Sequence, residues 1–282
     1  MQGTTTITAL PSTLSGTISL LSTVVNEQTS YTFSITTLDP LSSTGKIKIS
    51  IPAIITVSIS SSNCANVSGS GLAEFPTCTV DAVSNSIILT SINSSSSIIP
   101  AQTLSITITG LVNPPSTALT DTFTVTTFYE STDDTLVASG LLDGINATVA
   151  TISGANAQVT PSSFVVADTS VTYFFSLTVQ NIIPAGGYFE VSIPFDLTVD
   201  VASVGSHCSI NINSTSYVGT DCSVAQTNAS YVITFSNPFT VDATINTNII
   251  AKVESVFRNP LSSQPTQSFG IFTYHSDGNS IA

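Results

Sequence analysis

"SYTFSITTLDP", residues Ser30 to Pro40, decides the fold. Tyr31, Phe33 and Ile35 alternate with Thr32, Ser34 and Thr36, and an Asp-Pro turn signal closes the run. A period of two sends successive side chains to opposite faces of an extended chain, so the stretch reads as a strand with an apolar face toward a core and a hydroxyl face toward water. The string returns as "VTYFFSLTVQNIIP" from Val171 to Pro184.

Working outward, the duplication covers most of the chain. "KIKISIPAIITVS" (Lys46 to Ser58) matches "YFEVSIPFDLTVD" (Tyr188 to Asp200), with Ile51-Pro52 on Ile193-Pro194 at an offset of 142. "ITGLVNPPSTALTDTFTVTTF" (Ile108 to Phe128) matches "VESVFRNPLSSQPTQSFGIFTY" (Val253 to Tyr274), where Asn113-Pro114 meets Asn259-Pro260 and Phe123 meets Phe269 at an offset of 146. Such self-similarity marks tandem copies of one unit. Leu104, Ile106 and Ile108 keep the period of two, as do Phe189, Val191 and Ile193, and helical spacing is nowhere sustained. Phe174, Phe175, Tyr188 and Phe189 read as core or strand residues, and the Asn-Pro pairs as turns. The expected fold is all-β: two tandem β-sandwich modules, immunoglobulin-like or jelly-roll-like.

The opening "TTTITAL" does not fit the start of a module. At the 142 offset, Thr4 to Leu10 falls on Asn146 to Ile152, read as the closing strand of module one, with Ile7 on Val149 and Leu10 on Ile152. At the other end, "HSDGNSIA" falls on Tyr129 to Leu136, so the second module is expected to lack its last strand. The expected boundaries are an N-terminal donor strand at 1–15, module one at 16–153 and module two at 154–282. A sandwich short of one strand exposes backbone donors, acceptors and an apolar groove. Residues Thr4, Thr5, Thr6, Ile7, Thr8, Ala9 and Leu10 are the expected assembly strand, entering the open module of a neighbouring subunit head to tail.

Composition narrows the function. The chain has 282 residues and a net charge of −13; Lys46, Lys48, Lys252 and Arg258 stand against 17 carboxylates. That balance argues against nucleic acid and anionic membranes as partners. Only 7% of residues are charged, and Ser and Thr are abundant. Cytosolic domains keep about a quarter of their residues charged for solubility and to discourage edge pairing of strands. Five sequons suggest what replaces charge here: Asn66, Asn93, Asn146, Asn213 and Asn228 each begin an N-x-S/T triplet. Covalent glycans are expected on several. Met1-Gln2-Gly3 runs into threonines rather than a basic and then apolar leader, so secretion implies an excerpt of a longer precursor or a leader already removed. No run approaches the length of a membrane span.

Cys64 and Cys78 are 14 apart, and so are Cys208 and Cys222. Four cysteines allow three pairings, and the repeat favours one bridge inside each module, Cys64 with Cys78 and Cys208 with Cys222. An oxidising, extracellular compartment follows. Metal sites want close ligand pairs such as C-x-x-C, which the sequence lacks.

Little else carries chemistry. His207 and His275 lie in no nucleophile or metal motif, and no G-x-S-x-G occurs. Glu130, Asp133 and Asp134 form the densest acidic cluster and the one candidate for calcium, but without the alternating ligands of a calcium loop they read as a solvated turn. No enzyme and no cofactor are expected.

"ISIP", the paired cysteines, and "ITGLVNPPST…TDTF" recurring as "VFRNPLSSQPTQSF" resemble modules of giant repetitive surface glycoproteins of ciliates and other microbial eukaryotes, and glycan-coated extracellular fibrils (glycofibrils) of aquatic microbes. The resemblance implies a glycosylated structural filament. The expected function is thus a non-enzymatic subunit of an extracellular glycosylated filament or coat, with identical subunits as partners. The alternative is an adhesin stalk or binding module of a cell-surface protein.

Overall fold

The computed structural model describes residues 11–42, 44–59, 65–68, 73, 76–92, 101–130, 132, 135–213 and 218–282. Apart from one 3-10 turn at Val204–Ser206, the regular elements among them are strands. The chain is all-β, and its contacts divide it into two compact units.

The first unit holds β1 (Ser12–Thr13), β2 (Ser15–Leu20), β3 (Gln28–Thr36), β4 (Lys46–Ser50), β5 (Thr56–Val57), β6 (Ala65–Ser68), β7 (Thr77–Asp81), β8 (Ser86–Thr90), β9 (Thr103–Val112), β10 (Phe123–Phe128) and β11 (Leu136–Leu142). One sheet runs β2-β3-β9-β5, with β6 also on β9; the other runs β1-β11-β10-β4-β8-β7. The longer strands contribute alternate residues to one core. Tyr31, Phe33 and Ile35 of β3 and Leu104, Ile106 and Ile108 of β9 meet Ile47 and Ile49 of β4, Ile87 and Leu89 of β8, and Phe123 and Val125 of β10. Burial of a side chain of this size stabilises by about 1.5–3 kcal/mol.

The second unit repeats the plan with β12 (Ala157–Pro161), β13 (Val171–Thr178), β14 (Tyr188–Pro194), β15 (Thr198–Val199), β16 (Cys208–Ile212), β17 (Val218–Gly219), β18 (Cys222–Gln226), β19 (Ser230–Phe235), β20 (Asn248–Arg258) and β21 (Gly270–Tyr274). Its sheets run β12-β13-β20-β16-β17, with β15 on β20, and β18-β19-β14-β21. Tyr31 faces Ile108 as Tyr173 faces Val253, and Ile49 faces Ile87 as Val191 faces Ile233. An irregularity recurs at the same place, with one extra residue on β9 and two on β20. The ladder of β3 with β9 slips once beside Gly110, and that of β13 with β20 slips once beside Ser255; both residues have positive φ, +86° and +54°.

Two differences from the sequence-based expectation concern the joint. Asn146 to Ile152 is not a closing strand: the last strand of the first unit ends at Leu142. The contact boundary falls between Ala147 and Thr148, not at 153. Ala150 donates its N–H to the Ile281 carbonyl at 2.9 Å, which ties this stretch to the second unit. The second unit also includes Pro115–Thr117, and Thr117 donates to Ser280 at 3.2 Å.

Candidate functional site

The two units differ where the second sheet of each ends. In the first, β10 pairs with β11 over its full length, from Phe123 opposite Leu142 to Phe128 opposite Leu136. β1 then lies parallel to β11, with Ser12 opposite Ala138 and Thr13 opposite Ser139. Leu14 seals this edge: its N–H donates to the Ser139 carbonyl at 3.0 Å and its side chain is buried. The approach is so close that a Cβ on Gly140 would lie 2.2 Å from the Leu14 carbonyl oxygen, so only glycine fits there. Beyond β11 the chain continues inward. Ile145 and Ala147 are buried, Thr120 donates its N–H to the Ile145 carbonyl at 3.0 Å, and the Ile145 N–H donates back to Thr120 Oγ1 at 3.0 Å.

In the second unit, β21 has β14 on one side, and on the other only a short return of the chain. Ser280 bridges to Tyr274 as Leu136 pairs with Phe128, and the Thr273 N–H donates to the Ala282 carbonyl at 2.6 Å. Phe269 to Phe272, the counterparts of Phe123 to Thr126, have no strand paired along that outer edge among the described residues. Side chains that are core in unit one are therefore uncovered. Phe123 and Val125 are buried, while Phe269 and Ile271 are half-buried and Phe272 is exposed. Val25 is 0% exposed and its counterpart Val166 is 44% exposed. Two openings result along one seam: a cavity of about 350 Å³ walled by Val159, Phe164, Tyr173, Thr266 and Phe269, and one of about 310 Å³ walled by Ile152, Ala157, Val159, Ile271 and Phe272.

One buried polar device stands at the floor of this seam and recurs in both units. The Tyr31 hydroxyl donates to Asn113 Oδ1 at 2.7 Å, and Asn113 Nδ2 donates to the carbonyls of Ser22 at 3.0 Å and Val24 at 2.8 Å. Tyr173 donates to Asn259 Oδ1 at 2.7 Å, and Asn259 Nδ2 to Ser163 at 2.8 Å and Val165 at 2.9 Å. Burial pushes both phenols up from their ordinary value. The Asn-Pro pairs are thus more than turns. Each Asn uses its carbonyl oxygen and both amide hydrogens to pin the segment after β2 or β12. The signal was the coincidence of a Tyr and an Asn-Pro in both copies.

The remaining predicted residues fall as follows. Cys208 and Cys222 are disulfide-bonded, Cα atoms 6.2 Å apart. The bond joins β16 in one sheet to β18 in the other. Cys78 is disulfide-bonded, and Cys64 lies outside the described residues. Asn66, Asn146, Asn213 and Asn228 are exposed; Asn93 lies outside the described residues. Asn213 Oδ1 accepts the Asn248 N–H at 2.7 Å, a bond that attachment of a sugar at Nδ2 would leave intact. Thr4 to Leu10, Asp133 and Asp134 also lie outside the described residues. Glu130 is half-buried, and no cluster of three metal-ligating side chains occurs among the described residues. His207 and His275 are not brought together: His207 Nδ1 lies 2.7 Å from the Ser203 carbonyl, and His275 pairs with Asp277 at 3.2 Å. Burial raises the Asp277 carboxyl, but bonds from Asn279 and the His275 contact outweigh it, and the net shift is downward.

The chain matches no protein-family profile, and no curated protein is detectably similar to it. Solved structures with some similarity include a serine-rich repeat adhesion glycoprotein of Streptococcus agalactiae, 12% identical, covering 95% of this chain and 94% of that one, TM-score 0.25. Another is the C-terminal domain of an antigen I/II-family protein of Streptococcus pyogenes, 10% identical, covering 95% and 97%, TM-score 0.29. A third is the N-terminal domain of an adhesin of Streptococcus gordonii, 10% identical, covering 90% of this chain and 60% of that one, TM-score 0.32. Among the described residues no helix is long and apolar enough to cross a membrane.

Proposed function

We propose that the chain is a non-enzymatic pair of extracellular β-sandwich modules forming the stalk or binding region of a cell-surface protein. The single observation that carries this is the sandwich built twice in tandem, with its Tyr–Asn clamp reproduced bond for bond and a ladder slip at the same place in each copy. A repeated scaffold of this kind sets reach, and any recognition falls to the loops at the ends of its sheets. The inter-sheet disulfide and four exposed sequons support an oxidising, glycan-adding route to the surface. Immunogold labelling of the native cell, with and without protease shaving, tests the proposal. Label on the outer surface that shaving removes is expected; label confined to the cytosol refutes it.

A second role, subunit of a head-to-tail glycosylated filament, is favoured by one observation, the uncovered edge of β21. Unpaired strand edges are pairing templates. Negative-stain microscopy of native material tests it: filaments repeating every two modules are expected, and isolated particles at all concentrations refute it.

A further inference from the structure

The seam of the second unit has a template for its occupant in the first, because the strands common to the two units pair in corresponding registers on either side of it. Leu142 and Ile145 belong to the buried core of unit one at this seam, and Ala147 after them is also buried. Gly144 is the tightest point: a Cβ there would stand 2.1 Å from the Thr120 carbonyl oxygen. Thr266 is the counterpart of Thr120, three residues before Phe269 as Thr120 is before Phe123, and it walls the larger cavity.

The registers also fix which residues share a role near the start of each unit. Leu20 faces Tyr31 and Pro161 faces Tyr173. Asn26 donates to Pro114 at 3.1 Å and Ala167 to Pro260 at 2.9 Å. Both pairs give an offset of 141, not the 142 read from the strings, so Ile7 falls on Thr148 rather than Val149. Carried back at this offset, Met1-Gln2-Gly3-Thr4 falls on Leu142-Asp143-Gly144-Ile145, Thr6 on Ala147 and Ala9 on Ala150. Met1 meets Leu142 and Ala9 meets Ala150, apolar on apolar, and Gly3 meets Gly144, the tightest point of the unit-one seam.

We propose that the larger cavity of the second unit is the docking site for the start of a second copy of this chain, with residues 1–6 seated as Leu142 to Ala147 are in unit one. Met1 takes the place of Leu142 against Phe269. Gly3 passes the Thr266 carbonyl as Gly144 passes that of Thr120, and Thr4 exchanges bonds with Thr266 as Ile145 does with Thr120. Backbone pairing supplies affinity, and the glycine sets register. The proposal deepens the filament role and rests on it, because it identifies the segment that would join one subunit to the next.

The test mixes two full-length chains, one carrying Thr4→Cys and the other Thr266→Cys, under mild oxidation. A covalent heterodimer is expected, falling at least tenfold in yield when Gly3→Val is added to the first chain. Sedimentation velocity of the unsubstituted chain runs alongside: association that grows with concentration and is lost in Gly3→Val is expected. The proposal is overturned by a heterodimer indifferent to Gly3→Val, by no heterodimer together with concentration-independent sedimentation, or by a doubly substituted chain that closes on itself at high dilution. It is also overturned if a peptide of Ser139 to Ala147 binds the seam while a peptide of residues 1–10 does not. Filaments seen by microscopy without the cross-link would retain the filament role and reject this occupant.

Discussion

Removing the hydroxyl of the Tyr–Asn clamp should cost the two units different amounts. Tyr31 is fully buried, so Tyr31→Phe leaves Asn113 Oδ1 with no partner and no route to water. An orphaned buried acceptor costs about 1–3 kcal/mol, and about 2 is expected here. Tyr173 makes the same 2.7 Å bond, but the residue is 5% exposed and walls the open cavity. Water entering there can bond to Asn259 Oδ1, so Tyr173→Phe should cost only about 1 kcal/mol. Asn113→Ala orphans the Tyr31 hydroxyl and the Ser22 and Val24 carbonyls together, and about 4 kcal/mol is expected. Native-state hydrogen exchange read by mass spectrometry over β3 and β13 reports each unit separately. Equal losses from the two Tyr→Phe changes, or a larger loss in the second unit, would refute the assignment of water access.

Replacing Cys208 and Cys222 together by Ser should destabilise the second unit by roughly 3 kcal/mol, from a loop of about 15 residues, in chemical denaturation; no change would refute the staple. Burial, then the charge and hydrogen bond of Glu190, push the Tyr274 phenol from 10.0 up to about 12. A raised folded-state value gives stability that is present below pH 10 and lost as pH rises toward 12, so urea midpoints should fall across that window and fall less in Glu190→Gln. Ala167 holds φ +60° where the first unit has Asn26 at +57°; Ala167→Asn should raise the thermal midpoint, by about 0.5–1 kcal/mol in stability, since Asn tolerates the left-handed region better. Gly144→Ala forces a Cβ onto the Thr120 carbonyl and should cost about 2–3 kcal/mol by calorimetry, with exchange rising at Ile145.

The strands were legible because alternation survives wherever one face is buried. Every second residue of "YTFSI" and of "FEVSI" is a core residue. The duplication carried the pairing of sheets with it. Asn146 to Ile152 misled because its residues also suit a strand. Its buried members, Ala147 and Ala150, are three apart, the spacing of a connector that serves first one unit and then the other. The clamp was hidden for a different reason. Asn-Pro is an ordinary turn signal, and nothing local says that a side chain will be sunk to 2% exposure beneath a tyrosine 82 positions away. The seam was half visible: the alignment sets β21 beside β10 and so points to this edge, but which residues correspond across the two units needed the ladders.

In the proposed stalk role the Cys208–Cys222 bond has a mechanical consequence. A pulled chain lengthens by at most about 3.5 Å for each residue released, and the bond withholds the stretch between two cysteines 14 apart, roughly 40 Å of extension. Because its ends lie in opposite sheets, tension that peels one sheet is passed through sulfur to the other. Each rupture of this module should therefore show a shorter step in single-molecule stretching than its residue count implies, and the step should lengthen when a reductant is added.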